Sequence, residues 1–457
     1  MKKNNILKAL GILFLLFVLT SWIIPAGYFS NGEYTGTSVM PVGLFDVIIY
    51  PFMTLTSSVF VLMAIDILLI GALYGVMNKT GFYSNLVDKI VKKFKGSETK
   101  LLVITTILFA VLSSLTGLNL VLVIFVPLFA TVLMLLGFSK LTSMFATIGA
   151  ILTGNIASLY GANIAGYITY LEGNMNDNII VKIILFVIAT FLLIFFTVRL
   201  SKNKEKVKDI KLYSKSSKKV ATTKGVITLC IMFILLVIAM YNWSMAFNLD
   251  MFDKLHESII GIKIGSFPLF SYLMGSIPAF GHWTNYDLGF TLIVATFIIG
   301  KLYKLNLKEI IDGAIDGIKE ILPIALMVVA INILFLLMNV NSNGYTFYNT
   351  MVSKTVGSSI AYLPFTIMTM IGSLLYNDFP YLLSTLYSAT ATLTSEYNIV
   401  FTLTQTVHGL VQLIAPTSVV LVIGLMYFDI DYTSWLKNIW KLLLCLFILS
   451  IIILIII

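Results

Sequence analysis

Apolar runs of roughly 20 residues recur along this chain, and several are broken near their middles by polar residues. The hydrocarbon core of a bilayer is about 30 Å thick, so a crossing α-helix needs roughly 20 apolar residues. Few other constraints narrow a fold so sharply. With 59% hydrophobic and only 11% charged residues in 457, the chain matches no soluble globular class. It reads as an all-α polytopic membrane protein. The net charge of +9 does not point to nucleic acid, because the basic residues fall in loops, where they orient spans. Arg199 is the only arginine, so no bidentate clamp for a carboxylate lies within the membrane. Cys230 and Cys445 fall in apolar spans and read as small buried residues, with no disulfide or metal site.

The most informative run covers residues 400–425. It is interrupted by Gln405, His408, Gln412 and then Ala415-Pro416-Thr417-Ser418. Proline has no backbone N–H and clashes with the carbonyl four residues back. In lipid a freed backbone group costs several kcal/mol unless something satisfies it. A broken segment at membrane depth is tolerated mainly where it lines an enclosed cavity, and paired broken helices are where secondary transporters hold solute and ion.

Residues 6–24 predict an uncleaved first span, with Lys2, Lys3 and Lys8 keeping the N-terminus cytoplasmic. Residues 27–40 read as a polar loop, 41–53 as an amphipathic interfacial segment, and 55–78 as a span carrying Asp66. A lysine-rich stretch, 81–100, precedes an apolar pair, 101–137, broken at residues 113–119. The pair is either two spans or a re-entrant hairpin. Residues 141–170 are interrupted at Thr153-Gly154-Asn155 and again at Tyr160-Gly161-Ala162-Asn163, and 179–198 is a clean span. Ten basic residues in 199–224 mark a cytoplasmic linker. Beyond it come a lone span (225–241), an outer, partly interfacial segment (242–283), a span (288–303), an amphipathic piece (307–319) and another span (321–340). The apolar pair 360–393 is broken around residues 373–380, and a last span begins at Trp435.

The two halves resemble each other. Residues 44–68 align without gaps on 310–334, placing Asp46 on Asp312 and Ala64-Ile65-Asp66-Ile67-Leu68 on Ala330-Ile331-Asn332-Ile333-Leu334. Each half also runs through the same order of elements, and the lone span between them flips the second copy. The chain therefore divides into residues 1–198 as a first repeat, 199–224 as the linker, 225–241 as a linking span, 242–283 as the outer segment, and 284–457 as a second, inverted repeat. Inverted-topology repeats with broken helices in matching positions point to a secondary transporter.

Several stretches resemble the C4-dicarboxylate anaerobic carrier (DcuC-type) family, most of all its YfcC-type branch within the ion transporter superfamily. They are Leu19-Thr20-Ser21-Trp22-Ile23-Ile24-Pro25-Ala26-Gly27, Met77-Asn78-Lys79-Thr80-Gly81, Gly313-Ala314-Ile315-Asp316, the run from Gln412 through Pro416-Thr417-Ser418 to Leu421, and Asp431-Tyr432-Thr433-Ser434-Trp435-Leu436-Lys437. The resemblance implies a homodimer in which a transport domain moves like an elevator against a scaffold. Two hairpin tips and two unwound helices would form its site. It also implies a carboxylate-bearing solute, a C4-dicarboxylate or an amino acid such as arginine or ornithine, moved by ion coupling or exchange. The chain departs from the branch where solute is bound. Leu120-Val121 stands where paired glutamates are usual. Tyr376-Asn377-Asp378-Phe379-Pro380 replaces a Pro-Ser-Gly-Ser-Gly tip, and Gly161-Ala162-Asn163 lies near the place of a missing Asn-Pro-Phe. These departures bear on the solute rather than on the fold.

The expected binding residues are Asn119, Asn155 and Asn163 from the first half, with Asn377, Asp378, Gln412, Thr417 and Ser418 from the second. Amide and hydroxyl oxygens can replace a cation's water shell, and half-helix N-termini can meet a carboxylate. The alternative role for each is to mend broken backbone. Asp66 and His408 are candidate groups for coupling to Na⁺ or H⁺, and no other cofactor is expected. A channel would need a polar stripe along a continuous pore. An enzyme would need a catalytic cluster, and His256, His282 and His408 are scattered. The sequence thus reads as a multi-pass transporter of the cytoplasmic membrane, with a channel or a non-transporting membrane protein as the alternative.

Overall fold

The structure, a computed structural model, describes residues 5–30, 33–159, 164, 168, 173–353, 362–376, 379–390 and 397–456. It is built almost wholly of helices, and seven of those described are long and apolar enough to cross a membrane. Helix α1 (Asn5–Ser21) leads into an antiparallel hairpin, β1 (Gly27–Ser30) and β2 (Glu33–Gly36). The sequence reading had a polar loop there. The strands pair Gly27 with Gly36 and Ser30 with Glu33. Tyr34 anchors the hairpin through its hydroxyl, 2.6 Å from Thr346 Oγ1.

Helices α2 (Leu44–Thr56) and α3 (Ser58–Thr80) are separated at Ser57. They are followed by α4 (Phe82–Phe94), α5 (Glu98–Thr116), α6 (Asn119–Val123), α7 (Val126–Leu135), α8 (Lys140–Met144), a π-helical turn at Phe145–Gly149, and α9 (Ala150–Ile156). Here the structure corrects the sequence reading, for Thr153-Gly154-Asn155 lies inside the helix. Gly154 is an accommodation rather than a break: a side chain there would meet Ala110 O at 2.5 Å and Ser113 Cβ at 2.8 Å. The helix instead ends at Ala157. The second expected interruption, residues 160–163, lies outside the described residues.

Next come α10 (Ile179–Leu200), α11 (Thr223–Met240), the short helices α12 (Trp243–Phe247), α13 (Met251–Ile260) and α14 (Leu269–Met274), and α15 (Asn285–Leu302). Helix α16 (Leu307–Asn341) is a second correction. The expected amphipathic piece and span are one 35-residue helix that runs through Pro323. On the alignment above, Pro323 corresponds to Ser57, where the first half does break. The chain closes with α17 (Asn343–Ser353), α18 (Tyr362–Leu375), α19 (Phe379–Thr390), α20 (Tyr397–Gln412), α21 (Val419–Phe428) and α22 (Tyr432–Ile456).

The tightest helix pair is α3 on α16. Gly71 and Gly75 of one face Gly313 and Gly317 of the other. A Cβ on Gly75 would fall 2.1 Å from Gly313 O, and one on Gly317 1.9 Å from Gly71 O. Where lipid removes the hydrophobic drive between helices, small residues four apart let backbones touch and supply the packing that holds them.

The basic linker carries no regular helix or strand over residues 203–221, yet it is docked. Leu212 N–H donates to Glu320 Oε1 at 2.7 Å and Leu212 O accepts from Asn78 Nδ2 at 3.0 Å, while Tyr427 OH donates to Lys211 O at 3.0 Å. Lys211 Nζ donates to Met426 O. Burial holds the Lys211 ammonium below the usual lysine range, against the opposing pull of Asp429 and Glu320. The linker therefore joins the end of α3 and the middle of α16 to the end of α21.

Candidate functional site

Two broken stretches converge on one cavity of about 350 Å³. The first break follows α5. Gly117 adopts a left-handed conformation, φ 62°, which a side chain would strain. The chain turns there and restarts at Asn119. Ser113 stitches the break to α9, its Oγ lying 2.7 Å from Ile151 O and 3.0 Å from each of Asn119 Oδ1 and Asn155 Oδ1. A hydroxyl has one proton and two lone pairs. One proton cannot serve Ile151 O and both Oδ1 atoms, so the bonding balances when both amides are turned over, each Nδ2 donating to Ser113 while its hydroxyl donates to Ile151 O. Both asparagines line the cavity.

The second break separates α20 from α21. Gln412 Nε2 donates to Ser373 O at 3.2 Å and Thr417 Oγ1 donates to Leu374 O at 2.7 Å. His408 Nδ1 lies 3.1 Å from Ser373 Oγ. Ser418 holds the N-cap position of α21 without a side-chain capping bond, and the first turn of that helix opens on the cavity through Ser418, Val419 and Val420.

The two stretches touch at Gly409, where a Cβ would fall 2.5 Å from Ile156 Cα and 2.7 Å from Ile156 N. Beside it, Gln405 Nε2 donates to Ser158 O at 3.0 Å. The remaining wall comes from Phe379 and Pro380 at the start of α19 and from the continuous spans, with Met63 of α3, Met240 of α11 and Asn285 at the start of α15.

Of the expected residues, Asn119, Asn155, His408, Gln412 and Ser418 come together in this cavity. Thr417 is fully buried and does not line it. Asn163, Asn377 and Asp378 lie outside the described residues. Asp66 sits one turn along α3 from Met63, fully buried, and neither carboxyl oxygen has a hydrogen-bond partner among the described residues. Its Oδ1 would lie 3.0 Å from a Cβ on Gly289 of α15. Its aligned counterpart Asn332 differs, because that amide donates to Phe60 O at 2.5 Å.

Sequence reasoning missed Ser113 and Ser373 as organising groups, although both lay inside breaks it had marked. It passed over Asn285, an amide at a helix start. It also missed Lys182, an ammonium in a stretch read as a clean span; an ionisable residue inside a span was the available signal.

The cavity thus offers amides, one hydroxyl, an imidazole and a helix N-terminus. It carries hydrogen-bond donors and acceptors but no carboxylate, lysine or arginine among the described lining residues. Such a lining can bind a polar solute or a partly dehydrated cation.

No curated protein sequence matches the chain. Among solved structures it is similar to the Alcanivorax borkumensis YdaH transporter, at 15% identity over 98% of each chain and a TM-score of 0.46. It is also similar to Neisseria gonorrhoeae MtrF, at 13% identity over 99% of this chain and 95% of that one, with a TM-score of 0.41. The family model for C4-dicarboxylate anaerobic carriers matches residues 5–457. With nearly its whole length matched, this chain belongs to the C4-dicarboxylate anaerobic carrier (DcuC) family and is a membrane transporter rather than an enzyme.

Proposed function

We propose that the protein is a secondary active transporter that moves a small carboxylate-bearing solute across the cytoplasmic membrane by ion coupling or exchange. The solute is a C4-dicarboxylate or an amino acid such as arginine or ornithine. The observation that supports this reading is the convergence of both broken stretches on a single cavity into which each contributes polar side chains. Asn119 and Asn155 supply amides from one side, and Gln412, Ser418 and the N-terminus of α21 supply the other. On this reading the α3–α16 pair belongs to a static scaffold of a homodimer. The elements carrying the breaks move against it as an inverted-repeat elevator, with the N-terminus cytoplasmic.

Coupling falls to Asp66, with His408 held as a hydrogen-bonded member of the site. A buried carboxylate without a donor is expensive when ionised, and Asp66 stands one turn from the cavity wall. It takes up a proton when enclosed and releases it when water reaches it. The test is uptake of labelled succinate, arginine and ornithine into proteoliposomes under imposed proton and Na⁺ gradients. Saturable uptake of one of them is expected. Asp66→Asn should abolish proton-driven accumulation while sparing exchange. Unitary currents without saturation would replace the transporter reading by a channel, and undiminished accumulation by Asp66→Asn would return that residue to a structural role.

A further inference from the structure

Lys182 lies in the first turn of α10. It is 1% exposed, the only lysine fully buried among the described residues. Its Nζ has no hydrogen-bond partner among them and sits over the face of Phe401, 5.0 Å from the ring centre. The surroundings are fixed: Asn178 Nδ2 donates to Thr402 Oγ1 at 3.0 Å and to Asn398 O at 3.1 Å, holding the start of α10 against α20. Asp177, the nearest carboxylate along the chain, does not hydrogen-bond to the ammonium and acts on it only through space.

Phe401 leads toward the cavity. Its ring meets that of Phe379 edge-on at 6.0 Å, and Phe379 in turn stands 5.2 Å from His408. Phe379 and His408 both line the cavity. The ring steps of 5.0 and 6.0 Å put the ammonium within about 11 Å of the Phe379 ring centre. What lies along that path is aromatic carbon rather than water. A cation with no hydrogen-bonded carboxylate is costly in such a place, and a ring face offsets part of the cost. The same low-dielectric path preserves its field at the cavity. A C4-dicarboxylate, the solute for which the family is described, is anionic, yet none of the described lining groups is a fixed cation.

We propose that Lys182 is the fixed positive charge that makes this cavity prefer anionic solutes, acting across Phe401 and Phe379 without touching the solute. It is a specificity-setting residue, and the proposal rests on the cavity being the solute site. At an effective dielectric constant of about 20, a unit charge on the order of 10 Å away is worth roughly a factor of ten in affinity.

The test compares the parent protein with Lys182→Gln and Lys182→Arg in proteoliposomes. Labelled succinate is the transported probe. Succinamate (one negative charge) and succinamide (none) are competitors on the same carbon skeleton. The parent should rank succinate over succinamate over succinamide. In Lys182→Gln the advantage of succinate over succinamate should fall about tenfold, and in Lys182→Arg it should persist. These ratios are independent of how much protein folds. An unchanged ratio in Lys182→Gln overturns the proposal while leaving the solute site intact. If that variant yields no protein, the parent ranking decides, and a parent that does not rank the three by charge overturns it equally. A parent that neither takes up nor binds any of the three, yet transports arginine or ornithine, overturns the proposal while leaving the cavity reading in place; one that transports none of these removes both.

Discussion

The two breaks that meet at the cavity are repaired in different currencies. In the first, side chains repair one another: the Ser113 hydroxyl holds Asn119, Asn155 and Ile151 O together, and Ser114 Oγ donates to Ala157 O at 2.7 Å. In the second, the main chain of α18 does most of the work. The carbonyls of Ser373 and Leu374 accept from Gln412 and Thr417, and the Ser373 hydroxyl meets His408 alone among the described residues. Both answer the same requirement, that backbone groups freed inside an apolar layer find partners. The difference is in vulnerability. A hydroxyl hub can be deleted by one substitution, whereas a carbonyl cannot be mutated away.

The largest effect should come where the two repaired stretches touch. Gly409→Ala puts a methyl 2.5 Å from Ile156 Cα. Backbone, not a flexible side-chain tip, must then yield. Overpacking of this kind costs about 1–3 kcal/mol, and here the strain falls on the cavity wall. Succinate uptake should drop at least tenfold at equal protein amount. Uptake within twofold of the parent would mean that the two walls are not rigidly coupled.

Next in size is the direct contrast between the two hubs. Ser113→Ala leaves Ile151 O and two amides without their shared partner, at about 1–3 kcal/mol for each group left unsatisfied. Half-saturation should rise about ten- to a hundredfold, with a clear loss of thermal stability in detergent. Ser373→Ala removes one bond to His408 and keeps both carbonyl contacts, so the change should stay within about fivefold. Equal effects from the two serines would erase the distinction between the repairs.

Much of this was legible beforehand, for reasons specific to each place. Residues 413–418 were readable as a break because Pro416 forbids a helical bond and polar residues cluster around it. The break at residues 117–118 was readable from glycine followed by asparagine in an apolar run. Thr153-Gly154-Asn155 misled because a glycine that serves close packing against Ala110 looks the same in sequence as one that ends a helix. The docking of the linker was hidden, since ten basic residues report charge and say nothing of the Glu320 and Tyr427 contacts that hold the backbone. The cavity lining was half legible. Periodicity and composition select polar residues in apolar runs, but they do not say which face of the broken turn each one takes.

That last point yields the smallest predicted effect and the finest test of the comparison. Thr417 and Ser418 are neighbours in the same break, and the sequence treats them alike. In the structure both are buried; Thr417 gives its hydroxyl to Leu374 O and does not line the cavity, while Ser418 lines it at the N-cap of α21. Thr417→Ala should therefore cost stability, about 1–3 kcal/mol for a carbonyl left without its donor. It should move half-saturation little once the folded fraction is taken into account. Ser418→Ala should do the reverse: no capping bond is lost, so stability holds, while a hydroxyl facing the solute disappears and half-saturation rises about three- to tenfold, the usual worth of one hydrogen bond. Thermal unfolding in detergent and uptake kinetics, measured on both variants, separate the two effects. A crossed result, with Thr417→Ala weakening binding and Ser418→Ala weakening stability, would mean that the turn presents its other face to the cavity during transport.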